Sequence, residues 1–124
     1  GVIEAPWIVQ RDNFYYLLYS GNVYDHRYRS GVARSPQLLG PYEKHGPPIV
    51  ANNERWVGPG HGTLVPVGGL DYFVYHAWQN AGDGTQKPDL GRNVLVDRVR
   101  WENGWPAIHD TTPSRTPQPW PGTP

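Results

Sequence analysis

The sequence contains no cysteine and no methionine, and only 2 phenylalanines beside 8 tyrosines and 6 tryptophans in 124 residues. Without cysteine there are no disulfides and no thiolate metal sites, and the redox compartment stays open. Charge of one sign is missing too: 11 basic and 11 acidic side chains cancel, and no block of like charge stands out. That argues against a nucleic-acid footprint and against an electrostatic membrane anchor. No apolar run approaches the ~20 residues that cross a bilayer. No signal peptide is present, although a mature chain would have lost one. The chain opens Gly1-Val2-Ile3 without an initiator methionine, which reads as a piece of a longer or trimmed protein. What it has in quantity is glycine and proline, 15 and 14 residues. Both disfavour helices, so the expectation is one domain of short strands and turns. A domain of this length buries roughly two-thirds of its unfolded surface.

The clearest strand is Phe14-Tyr15-Tyr16-Leu17-Leu18-Tyr19-Ser20. Alternate positions are apolar or aromatic on both sides, so it needs cover on both faces. Asp12-Asn13 is a turn signal before it, and Trp7-Ile8-Val9 reads as its hairpin partner. Gly31-Val32-Ala33-Arg34 is a third strand, and Gly40-Pro41-Tyr42-Glu43-Lys44 a turn entering a fourth.

The order then recurs. Thr63-Leu64-Val65-Pro66-Val67 leads through Gly68-Gly69 into Tyr72-Phe73-Val74-Tyr75-His76. A polar, glycine-rich loop from Asn80 to Gly91 follows, then Val94-Leu95-Val96-Asp97-Arg98 and a turn at Asn103-Gly104. Asp12-Asn13 falls on Gly68-Gly69 and Tyr16 on Tyr72 at an offset of 56; Ala33-Arg34 falls on Asp97-Arg98 and Gly40 on Gly104 at 64. The difference fits inside the longer second loop. Two copies of a unit about 45–50 residues long point to two blades of a β-propeller. A generic meander or sandwich with coincidental spacing is the alternative. The blades are drawn as 1–57 and 58–110. The remainder, 111–124, is a proline-rich tail that cannot donate regularly to a sheet and is expected extended, packed on the surface or disordered.

Three stretches together resemble glycoside hydrolase family 43. They are Glu4-Ala5-Pro6-Trp7-Ile8-Val9 with Tyr15 to Asn22, then Val32-Ala33-Arg34-Ser35 with Leu39 to Lys44, then Gly58-Pro59-Gly60-His61-Gly62-Thr63 with Tyr72 to Trp78. Gly104-Trp105-Pro106 and Pro117-Gln118-Pro119 resemble the way such catalytic modules end. The family's enzymes are five-bladed propellers acting on arabinan and xylan, and the likeness covers only about the last two blades. It implies an all-β partial propeller of two four-stranded antiparallel blades. It assigns the general-acid role to Glu4, while the family's base and its acid-tuning carboxylate, both aspartates of earlier blades, cannot be mapped. Inverting hydrolysis needs an acid and a base roughly 6.5–9.5 Å apart. One carboxylate does half the work, so a single copy is expected to be inactive.

The resemblance places His61 at the central channel, touching sugar or, through water, a channel-bound ion such as calcium; a surface turn histidine is the plain alternative. No cofactor is required, and one histidine without a second ligand makes no case for a transition metal. Trp7, Trp56 and Trp78 either stack on a sugar ring or serve as core. Arg98 either contacts sugar or, like its repeat mate Arg34, pairs with polar neighbours. Asp97 is balanced between a strand role and a site role, and His76 reads as a core histidine. Two bare blade faces, lined by residues such as Phe14, Tyr16, Phe73 and Tyr75, are expected to drive self-association into a dimer or trimer. Carbohydrate is the expected ligand, with no nucleic acid and no membrane, and the family resemblance favours a secreted or periplasmic protein. The competing reading is a non-catalytic carbohydrate-binding or structural oligomer built from half a propeller.

Overall fold

The computed structural model describes residues 1–121. Two four-stranded antiparallel sheets form, each in simple up-and-down order. The first holds β1 (Val2–Arg11), β2 (Phe14–Asn22), β3 (Arg29–Ser35) and β4 (Glu43–Lys44). The second holds β5 (Trp56–Val67), β6 (Leu70–Gln79), β7 (Arg92–Glu102) and β8 (Trp105–Ile108), with one turn of 3₁₀ helix at Pro88–Leu90 before β7. The second blade thus takes in Trp56 and Val57 as well.

The repeat is visible in the register. Tyr16 lies opposite Arg34 in the first sheet and Tyr72 opposite Arg98 in the second. Gly68-Gly69 closes its hairpin with both residues at positive φ, the geometry of a two-residue β-hairpin turn. The last turns differ. Asn103-Gly104, again both at positive φ, makes a tight hairpin, whereas β3 and β4 are joined through the longer segment 36–42. Gly40, which the repeat matches to Gly104, therefore sits in a different kind of turn.

The core lies between the sheets. Tyr16, Leu18 and Val32 of the first face Leu64, Phe73 and Tyr75 of the second, with Ile49 and Val50 from the connecting segment sealing the gap. Each fully buried side chain of this size contributes roughly 1.5–3 kcal/mol. Tyr16 also donates its hydroxyl to the Gly104 carbonyl, 2.6 Å away, and the Arg34 guanidinium lies over the rings of Phe14 and Trp105. These contacts correct the expected picture of the bare faces. Tyr16, Phe73 and Tyr75 are buried between the blades and Phe14 is partly buried against them. Side chains alternate along a strand, so the open face of the first sheet carries the other set: Leu17, Tyr19 and Tyr42, with Ile3 82% exposed, around a hollow of about 320 Å³.

The tail to Pro121 packs on the second blade. Asp97 is buried, accepting the Tyr75 hydroxyl at 2.6 Å and the Ser114 amide at 3.2 Å, and the Trp56 indole donates to the Ser114 carbonyl. Asp97 and Trp56 thus serve structure. A cleft of about 350 Å³ remains between the tail and Val94–Val96 of β7.

Candidate active site

The site forms where β1 and β5 break their regular pairing. Glu4 pairs with Ser20 but Trp7 with Leu18, so β1 carries one extra residue, and Ala5 takes a φ of 55°. β5 carries one at the same place in the repeat, between Gly60 and Thr63, with His61 at a φ of 55°, and another between Val57 and Gly60. A bulge re-aims the side chains beside it. Here the bulges turn Glu4 and His61 toward each other.

The hydroxyl of Tyr28 donates to Glu4 Oε1 at 2.8 Å. His61 Nδ1 stands 3.4 Å from that hydroxyl and 3.5 Å from the same carboxylate oxygen. Behind them the His61 amide donates to Ser20 Oγ at 2.9 Å, and Ser20 shares a hydrogen bond with Ser30. The Tyr28 ring stacks on His76 and Tyr24. Its slot exists because residue 60 is glycine: a Cβ there would run into the ring. Arg29 donates to the carbonyls of His26 and Tyr28, which fixes the loop that delivers Tyr28.

Together Glu4, Tyr24, Tyr28, His61, His76 and Arg92 enclose a pocket of about 170 Å³. Burial first, then the Glu4 carboxylate, raises the Tyr28 phenol well above its ordinary value, so it stays a donor at any working pH. Burial chiefly, aided by the nearby Arg92 and His61, lowers His76 to about 4 and keeps it a neutral imidazole near pH 7. Arg92 lies over the Trp78 ring, 4.8 Å from its centre, and reaches the Tyr24 carbonyl.

The structure brings Glu4 and His61 together at this pocket. Trp7 stands next door, 41% exposed, donating its indole N–H to the Leu64 carbonyl and lining an adjoining hollow with His61. Trp78 backs the pocket beneath Arg92 without lining it. Arg98 is exposed on β7 opposite Tyr72 and outside the pocket; six residues of strand, roughly 20 Å, separate it from Arg92. The arginine of the site is Arg92. His76, read as core, lines the pocket wall. Tyr24 and Tyr28 were missed because they sit in the loop between β2 and β3, where strand periodicity carries no signal. Among the described residues no group of three or more His, Asp or Glu is placed to hold a metal ion, and His61 Nδ1 faces Glu4 and Tyr28.

Residues 1–106 match the sequence model of glycosyl hydrolases family 43, and the chain belongs to that family. It is 32% identical over 122 residues to the extracellular exo-α-(1→5)-L-arabinofuranosidase ArbA of Cellvibrio japonicus, an alignment covering 87% of this chain and 33% of that protein. It is 27% identical over 120 residues to the extracellular endo-α-(1→5)-L-arabinanase 1 of Bacillus subtilis, covering 86% and 34%. The crystal structure of a thermostable family-43 glycoside hydrolase superposes with a TM-score of 0.79 at 31% identity, covering 96% of this chain and 38% of the other. Cellvibrio cellulosa α-L-arabinanase complexed with arabinohexaose gives 0.69 at 30%, covering 87% and 37%. The two sheets are blades of the family's β-propeller, and the chain spans about a third of the length of these relatives.

Proposed function

We propose that this chain is the acid-bearing part of an inverting glycoside hydrolase that acts on arabinose- or xylose-containing polysaccharides. The observation that carries the reading is the Glu4 carboxyl, held by Tyr28 and facing a pocket sized for a sugar unit. In the reaction a protonated Glu4 gives its proton to the glycosidic oxygen as the bond to the anomeric carbon breaks. Water attacks that carbon from the opposite side and surrenders its proton to a base. The base belongs roughly 6.5–9.5 Å from the acid. Among the described residues Glu4 is the only carboxylate lining the pocket, so the base comes from outside this pocket wall. Neutral His76 and the Arg92 guanidinium are set to meet sugar hydroxyls, and Trp7 offers a ring face beside them.

The test is hydrolysis of aryl α-L-arabinofuranosides and β-xylosides. A single copy of the chain is expected to show no turnover above buffer. In a form that does turn over, Glu4→Gln is expected to remove nearly all of it. Retained turnover in Glu4→Gln contradicts the acid role.

The lone carboxylate also favours a second reading, a non-catalytic carbohydrate-binding or structural assembly closed through the open blade faces. In that case Glu4→Gln keeps its affinity for arabinose or xylose oligomers, and light scattering gives a dimer or trimer. The names of the two arabinan-acting relatives call them extracellular, and we propose the same location for the protein carrying this chain.

A further inference from the structure

Tyr28 holds one particular oxygen of Glu4, and that has a chemical consequence. A carboxylic acid acting as proton donor has two oxygens, and either can carry the proton. Oε1 is occupied: it accepts the Tyr28 hydroxyl at 2.8 Å and lies 3.5 Å from His61 Nδ1. Among the described residues Oε2 has no hydrogen-bond partner. We propose that Tyr28 is a positioning residue that fixes Oε2 as the oxygen carrying the Glu4 proton and takes up the negative charge on Oε1 once that proton has left. The inference rests on the reading of Glu4 as the acid.

In the step itself the H–Oε2 bond breaks, an O–H bond forms on the departing sugar oxygen, and the electron pair left behind spreads over the carboxylate. The Tyr28 hydrogen bond is then charge-assisted, and such bonds are roughly twice as strong as neutral ones. The phenol suits the task because it is fixed before substrate arrives. Its ring lies between Tyr24 and His76, the missing Cβ at Gly60 gives it room, and Arg29 pins its carbonyl. A donor that need not reorganise at the moment of reaction is worth more than one that must. The ionisable groups around the pair are His61 and His76 from β5 and β6, Arg92 from β7, and Tyr24 from the loop after β2.

The chain labelled with ¹³Cζ-tyrosine gives a direct test without requiring activity. The His76 ring stacked on Tyr28 also takes up a proton in acid, so the series is run in a His76→Phe background: one resonance, assigned by its loss in Tyr28→Phe, is expected to step when Glu4 is titrated with acid and to lie flat when Glu4→Gln is added. In that background a flat Tyr28 resonance, or a step that survives Glu4→Gln, overturns the proposal. Kinetics supply the second arm in a form that hydrolyses aryl glycosides. Tyr28→Phe keeps the ring and removes only the donor. It is expected to slow substrates with poor leaving groups, such as oligosaccharides, about 10- to 100-fold, the range that one hydrogen bond to a charged group converts to. Nitrophenyl glycosides, which need little proton assistance, should be slowed much less. Equal slowing of both classes means a structural role only and refutes the positioning claim. Absence of hydrolysis in every form refutes the glycosidase reading instead, and the tyrosine resonance still decides the hydrogen bond.

Discussion

The two blades share a register and a bulge but use them differently. Ala5 and His61 occupy the same place in the repeat and both have a φ of 55°. In the first blade the residue before that position is Glu4, a carboxylate; in the second it is Gly60, which has no side chain. The second blade places its functional group on the left-handed residue itself, His61, where the first has a methyl. A duplicated backbone kink thus yields a site through unequal side chains, and Gly60 leaves the room that Tyr28 fills. The same inequality governs burial. Phe73 and Tyr75 are buried against the first blade, while their repeat mates Leu17 and Tyr19 line the open hollow on its far side. Head-to-tail stacking of blades has this consequence: one face of each unit is spent on the neighbour before and the other on the neighbour after.

Substitutions at matched positions test that inequality, and the largest effect is expected in the core. Phe73→Ala should cost about 3–5 kcal/mol, whereas Leu17→Ala, facing outward, should cost below about 1 kcal/mol; urea unfolding of the two variants compares them. Similar losses would mean that the open face of the first blade is covered. Next comes the buried carboxylate. Asp97→Ala leaves the Tyr75 hydroxyl and the Ser114 amide without their acceptor and should cost about 1–3 kcal/mol, with proteolysis of the tail accelerated. Its repeat mate Ala33 has no polar partner to lose.

His76 sets a pH dependence. Its folded value of about 4 lies below the ordinary 6.5, so between these values the unfolded chain binds a proton that the folded chain does not. Stability from this group is full above about pH 6.5, falls as pH drops toward 4, and levels off below. Discounted for partial exposure, the change should be about 1–2 kcal/mol. In His76→Phe that slope should disappear from a denaturation series over pH. The smallest expected effect is a gain: Ala5→Gly relieves a left-handed alanine and should stabilise by up to about 1 kcal/mol, read as a rise in Tm.

Much of the fold was legible from the continuous apolar and aromatic runs at residues 14–20 and 72–76 and from turn signals at Asp12-Asn13, Gly68-Gly69 and Asn103-Gly104. Which face of each strand is buried was not, because both faces are apolar and only the stacking of one blade on the next decides between them. Within the site, Glu4 and His61 stood out through their neighbours. Tyr28 and Arg92 did not, since a loop tyrosine and a strand arginine look alike whether or not tertiary structure carries them to a pocket. Arg98, the arginine singled out on β7, lies outside the pocket. Burial of Asp97 depends on the tail folding back, which no local pattern announces.

The central claim is that the pocket at the two matched bulges is where sugar binds. Histidine ring resonances of the chain, followed during titration with arabino- and xylo-oligosaccharides, test it most directly. His61 and His76 are expected to shift saturably, while His45 and His109, which lie outside the pocket, stay in place. Shifts at His45 or His109 with none at His61 and His76 would contradict it.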